Sequence, residues 1–83
     1  MQIKLLHPVI SDGTELRVLN LRRPKVRDVI LAAKIGGSDE EKEVRMFANL
    51  CEVAPESIED LDIADYKELQ ESYKAFFEKD GQK

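Results

Sequence analysis

The chain has 83 residues, with 13 Lys or Arg against 17 Asp or Glu, a formal charge of −4, one cysteine and one histidine. At this length a fold buries only about 60% of the surface its unfolded chain exposes, so the core is thin and a disulfide, a metal or a partner chain is usually needed to support it. Cys51 alone cannot form an internal disulfide, and Cys51 with His7 supplies no zinc-ligand spacing, which leaves partner burial or close packing. Without a cysteine framework, a charged-then-apolar leader or an apolar run near 18 residues, a soluble cytoplasmic protein is expected.

The opening stretch, Gln2 to Ile10, has a mixed alternation (Ile3, Leu5, His7, Val9) that suits a strand, and Ser11-Asp12-Gly13 is a turn signal. Thr14 to Leu21 reads as the second strand of a hairpin. Leu16 and Val18 share one parity while Leu19 and Leu21 share the other, which predicts a bulge near Val18-Leu19 or cover on both faces. Pro24 suits the first turn of a helix. Val26, Val29, Ile30 and Ala33 then recur at i, i+3, i+4 and i+7, which makes one apolar helical stripe.

Gly36-Gly37 ends that helix, and Ser38 with Glu41 forms a capping-box signature that starts a second helix at about Asp39. Its stripe is Val44, Phe47, Ala48 and Cys51, widened by Met46 and Leu50. After the break at Ala54-Pro55, Ile58 and Leu61 suit a short helical turn that plugs the core. Asp62 and Asp65 read as acids at the cap and in the first turn of a third, longer helix, with a seam of Ile63, Tyr66, Leu69, Tyr73 and Phe76 and with Phe77 beside it. The reading is one small α+β domain: a β-hairpin over 1–22, a helical part over 24–78 with three main helices, and a polar tail at 79–83 that frays.

Charge is divided along the chain. Residues 1–37 hold seven bases and three acids, a balance of +4, and residues 38–83 hold six bases and fourteen acids, a balance of −8. Such a dipolar molecule suits self-association or an asymmetric partner.

Covalent chemistry finds little support. Nucleophilic catalysis needs a base beside the nucleophile, and the single imidazole lies in a strand before Pro8. Cys51 reads as a small apolar residue on a helix face. The paired carboxylates, such as Glu59-Asp60, are explained by caps and solvated faces, and Gly36-Gly37 lacks the Lys-Ser/Thr of a phosphate loop. The expectation is no enzyme, no metal and no cofactor. One segment offers a different function: Arg17, Arg22, Arg23, Lys25 and Arg27 form a basic run that a small nucleic-acid-binding regulator could use, although no aromatic residue for stacking accompanies it.

The stretch from Leu19 to Asp28 (LNLRRPKVRD), Gly36-Gly37-Ser38, Ala48-Asn49-Leu50-Cys51, Val53 to Glu56, and Leu61 to Tyr66 with Leu69-Gln70 together resemble the small tail assembly chaperones of contractile-tailed phages and Mu-like prophages. The resemblance runs from about residue 15 to residue 77, and its motif positions are Arg22, Arg23, Pro24, Arg27, Asp28, Gly36, Gly37, Asn49, Leu50, Asp65 and Tyr66. It implies a non-catalytic helper in the host cytoplasm that binds the long helical tape measure protein until tail tube subunits assemble around it. A generic prophage structural or adaptor protein is the neighbouring alternative. Helix-in-groove packing would cover apolar stripes of the long chain. Val44, Phe47, Tyr66, Leu69, Tyr73, Phe76 and Phe77 are the candidate contacts, each also a candidate for the internal core. A homo-oligomer is expected, with no membrane partner.

Overall fold

A computed structural model of the protein describes residues 1–78 of the 83; the tail expected to fray, 79–83, lies outside the described residues. The order is β1 (Gln2–Ser11), β2 (Thr14–Asn20), α1 (Val26–Ile35), α2 (Asp39–Cys51), α3 (Pro55–Glu59) and α4 (Ile63–Ala75). This is the expected α+β arrangement, an antiparallel hairpin followed by helices.

Asp12 and Gly13 both take positive φ, 52° and 78°, so Ser11 pairs with Thr14 across a two-residue turn of the kind whose twist matches the strands. Ile3 faces Leu19 and Lys4 faces Val18, but the next aligned pair is Val9 with Leu16. The extra residues therefore lie in β1, over Leu5 to Pro8, and not near Val18-Leu19 as the side-chain parity suggested. Leu16 and Leu19 still both reach the core, because the irregularity between their pairs lets β2 change face.

The core is built by Ile3, Leu5, Leu19 and Leu21 of the hairpin segment, Phe47, Ala48, Leu50 and Cys51 of α2, Ile58 of α3 and Leu69 of α4. Phe47 is its centre, fully enclosed, with Tyr66 and Tyr73 edge-on at ring-centroid distances of 5.7 and 5.4 Å. Such edge-to-face pairs add about 1 kcal/mol each to simple burial. The capping box at α2 is formed as expected: the Glu41 N–H donates to Ser38 Oγ at 3.1 Å and the Ser38 N–H to Glu41 Oε1 at 2.8 Å. Gly37 has φ of 94°, a backbone conformation that favours glycine, and a Cβ there would lie 2.6 Å from the same Glu41 oxygen, so a side chain would have to push the tip of Glu41 out of its capping position.

Two further expectations fail. Ile63, assigned to the α4 seam, is 77% exposed, because α4 docks on the hairpin through Asp65 and Leu69 one turn further on. Pro24 precedes the N-cap residue Lys25 instead of occupying the first turn. Helix α1 contributes nothing to the main core cluster, and its extensive packing among the described residues is against α2.

Candidate partner-binding surface

Helix α1 is seated by the side chain that its own sequence makes least expected in an interior. Only Asp28 and Ala32, one turn apart, are buried. The Asp28 carboxylate accepts from Arg22 Nη1 and Nη2 at 3.0 and 2.9 Å, from the Lys25 backbone N–H at 2.7 Å and from Asn49 Nδ2 at 3.0 Å. The Arg22 guanidinium, followed by the helix-start N–H of Lys25, holds this carboxyl down at about 2 against burial, and the same bond raises the Arg22 pKa. Arg22 is itself positioned by its N–H, which donates to the Leu50 carbonyl at the end of α2 at 3.2 Å. Four motif positions, Arg22, Asp28, Asn49 and Leu50, thus meet in one joint between strand exit, α1 and α2.

With about 100° of rotation per residue, burying Asp28 and Ala32 turns Val26, Val29, Ile30 and Ala33 outward. Val26 is 76% exposed, Ile30 51% and Val29 47%; Leu31 and Ile35 are also exposed, on the far side of Arg27 and Lys34. The apolar stripe read from the spacing is therefore the solvent face of the helix. An exposed contiguous apolar surface of this kind marks an interaction site more often than chance. Beside it runs an open groove of about 310 Å³, with Val29, Ala32 and Ala33 on one wall, Met46 and Phe47 with Asp39, Lys42 and Glu43 on the other, and Tyr73 also lining it.

The seven residues named from sequence as contacts divide differently. Phe47 and Leu69 are fully enclosed and belong to the core. Val44, Tyr66, Tyr73 and Phe76 are half-buried against it. Phe77 is 66% exposed, its ring edge-on to Tyr73 at 5.2 Å. The surface missed from sequence, Val26, Val29, Ile30, Leu31 and Ile35, had a visible signal: a helix apolar almost all round whose single acid lies six residues after an arginine.

Three further motif positions, Arg23, Asp65 and Tyr66, have structural partners. Arg23 donates to the Phe76 carbonyl at 3.4 Å and lies 5.5 Å from the centre of its ring, tying the hairpin exit to the end of α4. Asp65 is buried and accepts from the Leu6 and His7 N–H groups, each at 2.9 Å, where the strand ladder is interrupted. It stands in the first turn of α4 as expected, and its side chain also completes the interrupted β1. The Tyr66 hydroxyl donates to Glu43, which also accepts from Gln70 Nε2 at 2.8 Å; burial first, and that carboxylate second, push the phenol pKa well up. Burial also raises the Cys51 thiol to about 11, far from the range of a reactive cysteine. In the basic run, Arg17 pairs with Glu15 at 2.9 Å, and Arg22 and Arg23 are engaged as described, which leaves Lys25 and Arg27 without a side-chain partner among the described residues. No group of three His, Cys, Asp or Glu among the described residues could hold a metal ion, and no described helix is long and apolar enough to cross a membrane.

The chain is thus a small α+β domain in which one helix is locked by a buried ionic joint with its apolar side outward. Residues 2–78 match the model of the family described as phage tail assembly chaperone proteins, E, or 41 or 14, and the chain belongs to that family. The match takes in β1 as well as the segment from residue 15 onward that carries the resemblance in sequence. No curated protein and no solved structure matches the chain.

Proposed function

We propose that this tail assembly chaperone acts, without catalysis, by holding the tape measure protein in the host cytoplasm, and that the outward side of α1 is the surface it uses. The single observation that carries the reading is the exposed face of Val26, Val29 and Ile30 on a helix whose orientation is set by the Asp28 joint. A long helical client has apolar stripes that aggregate when uncovered, and one helix laid on another covers them at interaxial distances of about 8–10 Å. Phe77 and the half-buried Tyr73 lie near the same groove and extend the contact. The acidic second half keeps the complex in solution.

Co-expression tests this. A tape measure protein is expected to stay soluble and co-purify with the wild-type chain, and to be lost with Ile30→Asp while circular dichroism of that variant is unchanged. Equal recovery with the variant, or full solubility of the tape measure protein without the chain, would overturn the reading. A generic adaptor would show neither effect.

Self-association belongs to the same proposal, since a thin core and a chain divided between a basic first half and an acidic second half suit pairing of copies away from the α1 face. Sedimentation at micromolar concentration is expected to give a mass above the 9.5 kDa of one chain, falling as salt is raised.

A further inference from the structure

The exposed side of α1 has a charged border on one flank only, and that border specifies what lies on it. On the helix wheel Arg27 and Lys34 fall together beside Ile30, on the flank away from α2, because they are seven residues apart, two turns or about 10 Å along the axis. Both are exposed. The one acid of α1, Asp28, lies beneath the helix with its charge already met by Arg22, so nothing on α1 itself offsets these two cations. The opposite flank is the α2 wall, where Asp39 and Glu43 stand with Lys42.

We propose that the α1 surface takes one amphipathic partner helix of about three turns, matching the 10 residues of α1, whose apolar stripe is bordered by acidic residues at i and i+7 facing Arg27 and Lys34. A second α1 laid antiparallel brings Arg27 and Lys34 of both copies to one flank, where like charges repel, so charge favours the acidic helix as occupant. The inference rests on the reading of α1 as the partner-binding surface, and it adds the charge pattern by which a client segment is chosen.

The test uses the full chain and three designed 18-residue helical peptides with one apolar stripe: acids at i and i+7 on the matching border, lysines at the same positions, and acids on the other border. In fluorescence anisotropy at low salt, the first is expected to bind on the order of tenfold more tightly than the second, the sum of two attractions gained and two repulsions avoided at exposed sites. Raising salt should shrink that ratio. Arg27→Glu with Lys34→Glu should reverse the preference, and Ile30→Asp should abolish binding of all three. Equal binding of the acidic and lysine peptides, a preference unchanged in the charge-reversed chain, or tighter binding of the peptide with acids on the other border overturns the proposal. So does an absence of peptide binding together with a dimer that Ile30→Asp dissolves, which assigns the surface to a second copy. Should the tape measure protein be retained through Ile30 while no peptide preference is seen, the charge rule fails and the chaperone reading stands. A peptide preference without such retention supports the charge rule and removes the tape measure protein as its client.

Discussion

The carboxylate of Asp28 accepts four N–H donors, two of them from one guanidinium, and each donor comes from a segment that must be placed relative to α1. Removing one partner of a buried charge pair leaves the other uncompensated, which is why such sites tolerate truncation poorly. Asp28→Ala is expected to lower stability by about 2–4 kcal/mol, read in urea unfolding. Because the folded pKa is about 2, below the usual carboxylate value of 3.8, the stabilisation from ionised Asp28 is complete above about pH 5. It is lost as pH falls from there through the folded value, and it amounts to about 1–2 kcal/mol once the half-exposed Arg22 is allowed for. An Asp28→Asn variant should therefore be less stable than wild type at pH 7, with the difference narrowing as pH is lowered from 5 towards 2.

At the scale of the element, α1 and α2 differ in what holds them. Helix α2 supplies four residues to the core, whereas α1 is attached by Ala32, the Asp28 joint and its groove wall along α2. Few buried apolar contacts mean a low-energy local opening. Amide hydrogen exchange is expected to show α1 protected at least about tenfold less than the central turns of α2, a difference of about 1.4 kcal/mol. Ile30→Asp should change the midpoint of urea unfolding little, within about 0.5 kcal/mol, since its side chain meets solvent. A large loss of stability would mean that the helix rests on that side, contrary to the orientation described.

For the molecule as a whole, stability converges on one ring. A domain of this size has roughly 4–12 kcal/mol in total, at about 0.05–0.15 kcal/mol per residue. Phe47→Ala costs about 3–5 kcal/mol when the ring is as enclosed as it is here between Tyr66 and Tyr73. The variant should unfold substantially near 37 °C, seen as lost near-ultraviolet dichroism and early thermal melting, while the surface change Phe77→Ala should stay folded.

Local chemistry was enough to read the hairpin turn at Asp12-Gly13, the Ser38-Glu41 capping box, the double-glycine stop, the Asp62 cap and the enclosure of Ile58, since each depends on residues a few positions apart. The bulge defeated that reading because strand parity records a change of face in β2 while the inserted residues sit in β1, supported by Asp65 some 59 positions away. The direction of α1 was hidden for a related reason. Periodicity identifies an apolar side but not what it faces, and the choice was made by Arg22, Asn49 and the backbone of Lys25 closing around Asp28. The carboxylate lies inside with four donors around it, and the turn of the helix that this fixes leaves the apolar stripe exposed, a choice made by residues far apart in the chain.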